Sequence, residues 1–182
     1  VGGLPDGTVD GDTLASGVGG KVLQVISTYS GSASTQSVTI ATNTAITGLS
    51  VSITPSSTSS KILVSVRWCG ETANYQDGIF GLQRGVTRIG DATAAGSRFL
   101  GIHVGAVSFS ANNSSTMDTA IFDFIDAPAS TSAISYSMMI RAGATQTVYN
   151  NRTVTDADNS TTPRGTSSIT VMELESATVT TT

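Results

Sequence analysis

Apolar and polar residues alternate along most of this chain. In Leu49-Ser50-Val51-Ser52-Ile53-Thr54 every second residue is apolar and those between carry hydroxyls, the pattern of a β-strand with one buried and one wet face. Pro55 and the serine-rich run after it end that strand as a turn. Ile62, Val64, Val66 and Trp68 then alternate with Leu63, Ser65, Arg67 and Cys69, which predicts a second strand. Similar runs at 21–29, 37–46, 79–84, 99–109, 119–126, 135–141 and 168–173 bring the total to about nine or ten strands. No stretch carries a sustained helical stripe. The pattern therefore predicts an all-β sandwich or barrel.

The first twenty residues depart from this pattern. Seven of them are glycine and three are aspartate (Asp6, Asp10 and Asp12), with aliphatics only at Val1, Leu4, Val9, Leu14 and Val18. So few apolar side chains cannot bury a core of their own, and the glycines lack the period of three of a collagen helix. The division predicted is a Gly/Asp-rich stalk or attachment segment at 1–20, a β-sandwich head at 21–175 and a polar tail at 176–182. Long loops are expected at 71–78, 91–98, 111–116 and 150–165. Loops of that length in a compact domain are usually functional or disordered.

Composition sharpens the class. Serine (26) and threonine (28) make up almost three residues in ten, charged residues 12%. Threonine suits the pleated surface because of its β-branch, and helix formers are scarce, with three Glu and two Lys. Nine basic residues against thirteen acidic give no electrostatic footprint for a nucleic-acid backbone. No run approaches the ~18 apolar residues of a membrane-spanning helix, so no membrane insertion is expected. One cysteine excludes an intrachain disulfide and any multi-cysteine zinc site.

Candidate chemistry is thin. His103 is the single histidine, and nothing places an orienting carboxylate and a nucleophile beside it, so a structural role is expected. Cys69, at the end of an apolar strand, reads as a buried free thiol. Asp6, Asp10 and Asp12, and separately Asp156, Asp158 and Asn159, are oxygen clusters of the kind calcium accepts. Neither has the terminal glutamate of a calcium loop, and solvated loop charges are the reading adopted. Asp118 and Asp126 fall on the strand face of Phe122 and Phe124, with Asp123 opposite. A glycosidase pair would need a cleft that spacing alone cannot supply. Gly17–Val22 fails the phosphate-loop spacing, no Gly-x-Ser-x-Gly elbow occurs, and sequons at Asn112, Asn113, Asn151 and Asn159 mark expected exposed loops. No catalytic, cofactor or metal residues are assigned.

Several segments together carry a resemblance. Gly20-Lys21-Val22-Leu23-Gln24-Val25, the stretch from Thr47 to Val64 reading TGLSVSITPSSTSSKILV, Phe124 to Ser132 reading FIDAPASTS, and Ser167 to Leu174 reading SSITVMEL occur in the order seen in the C-terminal domains of tail-fibre and head-fibre virion proteins of tailed bacteriophages, especially those of marine and cyanobacterial hosts. The resemblance spans about residues 20–174. The middle, from about Cys69 to Met117, does not match. It implies a jelly-roll-like antiparallel head that assembles as a homotrimer on a thin shaft and lies at the virion surface. Its implied partners are copies of itself, other virion proteins through residues 1–20, and a host-surface polysaccharide or protein. The amide-, tyrosine- and arginine-bearing loops at Asn74, Tyr75, Gln76 and Asp77, at Asn112 and Asn113, and at Tyr149, Asn150, Asn151 and Arg152 are the candidate receptor contacts. Competing readings are a capsid decoration or head-fibre protein, a carbohydrate-binding adhesin module, and a polysaccharide-degrading fibre enzyme.

Overall fold

The structure, a computed structural model, describes residues 22–73, 78–94, 96–104 and 117–175. Among these residues every regular element is a strand. In chain order they are β1 (Val22–Ser30), β2 (Ser34–Val38), β3 (Thr44–Ile53), β4 (Lys61–Thr72), β5 (Ile79–Arg84), β6 (Thr87–Ile89), β7 (His103–Val104), β8 (Asp118–Asp126), β9 (Ile134–Arg141), β10 (Gln146–Asn150) and β11 (Ser167–Leu174). All pairings are antiparallel. One sheet runs β1-β11-β4-β10-β2 with β8 also on β4, and the other runs β3-β9-β5-β6 with β7 also on β5.

Three interrupted strands simplify this plan. β10 and β11 both lie on the side of β4 opposite β8, Asn150 against Gly70 and Ser168 against Arg67. They are one ladder strand broken by the excursion of residues 151–166. β1 and β2 flank that strand as a second broken one, with the break at 31–33. β6 and β7 share one side of β5, with residues 90–102 between them. Each sheet therefore has four ladder positions: β1/β2, β10/β11, β4, β8 in the first and β3, β9, β5, β6/β7 in the second. Strands that cross back and forth between two four-stranded sheets in this order make a jelly-roll-like sandwich.

The inward faces follow the alternation. Ile62, Val64, Val66 and Trp68 of β4 meet Leu49, Val51 and Ile53 of β3 and Tyr136, Met138 and Ile140 of β9, with Ile169 and Val171 of β11 closing the layer. Each large aliphatic so buried contributes about 1.5–3 kcal/mol. The Trp68 and Phe80 rings bridge the sheets with centroids 4.9 Å apart. At one corner Asp126 of β8 accepts from Arg84 of β5 (3.0 Å) and from the hydroxyl of Tyr136 on β9 (2.7 Å), a polar tie between the sheets.

Two expected strands are corrected. Residues 37–46 are not one strand, because β2 belongs to one sheet and β3 to the other. The chain crosses between them through Ala41, whose φ is 57° and whose N–H donates to the carbonyl of Ala142 (2.9 Å). Of 99–109 only His103–Val104 joins a described ladder. The preceding residues cover the outside of β5 and β9, where Arg88 donates to Asp91 (2.7 Å) and to the Leu100 carbonyl. Gly101 is needed there, because a Cβ would sit 2.5 Å from the Phe80 carbonyl oxygen. The stalk at 1–20 and the tail at 176–182 lie outside the described residues.

Candidate functional site

Residues 151–166 leave and rejoin the β10/β11 ladder at nearly the same point. β10 ends in Asn150, and Asn151 then adopts φ 59°, a left-handed conformation that Asn tolerates better than most residues. The neck is closed by a bridge between Arg152 and Arg164 and by the Gly165 N–H donating to the Asn151 carbonyl (3.1 Å). Beyond the neck, Arg164 donates to both oxygens of Asp156 at 3.0 and 2.7 Å. That hydrogen bonding, with the charge of Arg152 nearby, holds the Asp156 carboxyl below the usual range. At the exposed tip, the Asn159 side-chain oxygen accepts from the Thr161 N–H (2.9 Å) and hydroxyl (2.7 Å). The excursion is thus a self-bonded polar projection on a two-stranded neck.

Its base is fixed by buried amides. The Asn150 side-chain oxygen accepts from the indole N–H of Trp68 (2.8 Å), and its amide donates to Gln36 (3.1 Å) and Ser34 (3.3 Å). Asn151 donates to the carbonyls of Ser30 (3.1 Å) and Ser32 (3.0 Å) and to the Ser30 hydroxyl (3.1 Å), and accepts from Ser167 (2.6 Å). One side chain therefore satisfies backbone groups freed by the break between β1 and β2 while holding the break between β10 and β11. The Glu71 carboxylate accepts from the Val154 N–H (2.7 Å). Burial pushes the Glu71 carboxyl upward, Val154 opposes this, and the neighbouring charge of Asp118 adds to the rise.

These positions correct part of the expected contact set. Asn150 and Asn151 are 2% and 1% exposed, so they brace the fold instead of facing solvent, and the Asn151 sequon does not mark an exposed side chain. Tyr149 and Arg152 are half-buried, with the guanidinium carbon 5.3 Å from the ring centroid. Asn74, Tyr75, Gln76, Asp77, Asn112 and Asn113 lie outside the described residues. The solvent-facing residues of the projection are Thr155, Ala157, Asp158, Asn159, Ser160, Thr161, Pro163 and Arg164, an exposure that the length of the loop signals.

His103 lies against Phe122 with centroids 6.5 Å apart. Cys69 is half-buried, and burial pushes its thiol upward against the opposing charge of Arg67. Asp123 is exposed on the outer face of β8, while Asp126 is buried on the inner one. Among the described residues no three His, Cys, Asp or Glu side chains form a group able to hold a metal ion. A groove of about 490 Å³ opens beside β5 and β7, lined by Gly78, Ile79, Arg98, Phe99, Val104 and Gly143. The Arg141 guanidinium covers Phe99 there, 4.3 Å from its centroid.

Glu173, like Glu71, is a buried acidic residue that the sequence does not single out. It continues the inward series Ile169, Val171 on β11 and is 0% exposed. Its carboxylate accepts from the Ser56 N–H and hydroxyl and from the Ser60 hydroxyl, all at 2.7 Å, and from Gln24 at 2.6 Å. Burial alone would raise its pKa, but the donors Ser60, Gln24 and Ser56 outweigh that and hold it at about 2. No protein-family model matches the chain, and no curated protein matches it.

Proposed function

We propose that this chain is a non-enzymatic virion structural protein, the head of a trimeric fibre that attaches its particle to a host surface. The observation that carries the reading is the meeting of three separate sequence segments at one carboxylate. Glu173 of SSITVMEL binds Ser56 and Ser60 of the PSSTSS turn and Gln24 of GKVLQV. Three of the segments that resemble phage fibre heads thus meet inside the jelly roll, as a scaffold motif requires and a catalytic motif does not. The carboxylates described above serve packing: Glu71 holds Val154, Asp126 holds Tyr136, and Asp156 holds Arg164.

Host contact is assigned to the projection of residues 151–166, with its amide and hydroxyl tip at Asn159 and Thr161 and with Tyr149 and Arg152 at its base. Such groups suit hydrogen bonding to sugars and stacking on them. Antibody against the purified chain should decorate a fibre on the intact particle in electron micrographs, and its site separates a tail fibre from a capsid-borne one. Purified chain added in excess should reduce adsorption of the particle to its host. Replacing residues 158–161 with Gly-Ser-Gly-Ser should remove that competition, while the β signal in circular dichroism is kept and the melting temperature falls by only a few degrees. An unlabelled particle, or undiminished adsorption, would overturn the reading.

A further inference from the structure

The two outer faces of the sandwich differ in chemistry. On the β3-β9-β5 face the rows are hydroxylic: Ser137 pairs with Ser50 on one side and Gln83 on the other, and Ser52 pairs with Ser135. Asp91 and Gly101 also lie over Gly81 on this face, where Met139 is fully buried outside the central core. On the outer face of β1-β11-β4-β8, cross-strand register instead aligns Val25, Met172, Leu63 and Ile125 in one row. Val22 and Leu174 pair beside it, and Tyr29 and Ile121 end a further row. Val25, Tyr29 and Ile121 are 54%, 66% and 57% exposed.

An apolar row that crosses all four strands of a sheet is not a scatter of surface aliphatics, because every strand contributes at the same level. Only Lys61, Arg67 and Asp123 bring charge to this face along residues 61–67 of β4 and their partners. None of the three has an ion-pair partner among the described residues, and Arg67 donates to the Thr166 hydroxyl (3.1 Å). We infer that this face packs against copies of the same chain, with the Val25–Met172–Leu63–Ile125 row buried between them and Lys61 of one copy facing Asp123 of the next.

Three observations favour a second copy as the occupant. The unmatched Lys61 and Asp123 are complementary to each other, so a surface of identical composition supplies both missing counter-charges. Residues 1–21 join the head at Val22, at the apolar end of this face. The aliphatics of that segment are too sparse to bury a core of their own. Finally, four strands about 4.8 Å apart, each with about eight residues at about 3.3 Å, give a face of about 500 Å². Two such faces in contact remove on the order of 1,000 Å², the size at which a specific interface begins.

The inference rests on the assembly proposed above, and one experiment separates the two. Sedimentation velocity of the full chain should give an oligomer at micromolar concentration. Val25→Glu, which puts a charge in the apolar row, should shift it toward monomer with a dissociation constant raised on the order of tenfold or more. Thr170→Arg, in the adjacent hydroxyl row, should act the same way without touching apolar packing. Ser137→Glu on the opposite sheet should leave the oligomer intact. Circular dichroism checks that each variant keeps its β signal, and either folded variant decides the matter. A monomeric parent chain would overturn the assembly itself. An oligomeric parent whose Val25→Glu and Thr170→Arg variants remain fully assembled would overturn the assignment of this face.

Discussion

Glu173 illustrates how a charged residue becomes part of a core. Three serine donors and one glutamine donor replace the water it loses, so its ionised form is the stable one. Glu173→Gln keeps the shape but sets an amide N–H₂ among groups that donate, and should cost about 2–4 kcal/mol in urea unfolding. The pH dependence follows from the sign of the shift. The carboxyl is held at about 2 against an ordinary value of 4.5, so its contribution is complete above about 4.5 and fades as pH falls toward 2. Wild-type stability should therefore drop more between about pH 6 and pH 3 than that of Glu173→Gln. Equal losses in the two proteins would contradict this assignment. Asn151→Asp reverses the polarity of a side chain that faces three acceptors, and should cost about 2–3 kcal/mol. Urea unfolding measures that loss as well.

Among the elements, the interrupted strands show where alternation was readable and where it was not. β4, β8, β9 and β11 were legible because their inward positions are mostly Ile, Val, Phe, Tyr or Met. β10 was not. Its inward residues are Gln146, Val148 and Asn150, two amides in three, so the pattern looks polar, predicts no strand at 146–148, and leaves Tyr149 and Asn150 in an expected loop. The crossing at Ala41 was equally hidden, because residues on both sides favour strand and only the left-handed backbone turns the chain between sheets. The neck of the 151–166 excursion depends on close approach. A Cβ on Gly165 would lie 2.5 Å from Cys69 Sγ and 3.0 Å from Met117 Cε. Gly165→Ala should destabilise by about 1–3 kcal/mol, and a second change, Cys69→Ala, should return a large part of that loss. Additive costs in the double mutant would show that the contact is not the cause.

For the whole molecule, the tie among Arg84, Asp126 and Tyr136 sets how the two sheets register, since it joins β5, β8 and β9 across the sandwich. Burial and the adjoining Asp126 push the Tyr136 hydroxyl far above its ordinary pKa, so it remains a donor where a free tyrosine would ionise. Tyr136→Phe removes this donor while Arg84 still pairs with Asp126, and should cost about 1–2 kcal/mol. Thermal unfolding should remain a single transition, because both sheets share one core. Two resolved transitions would mean that the sheets fold separately.

The sequence by itself determined the class of fold. Alternation of apolar residues with serine and threonine has period two, and a period of two can be buried only by a sheet. It also marked the long loop after Tyr149 and the scarcity of acid–base chemistry, since these are matters of residue type and spacing. Only the tertiary structure decided which strands are halves of one, that Asn150 and Asn151 face inward, and that Glu173 joins segments up to 149 residues apart. Those facts depend on cross-strand register, and register is fixed by partners far away in the chain. The same dependence separates the two outer faces. Val25, Leu63, Ile125 and Met172 become a single apolar row only when four distant strands are laid side by side.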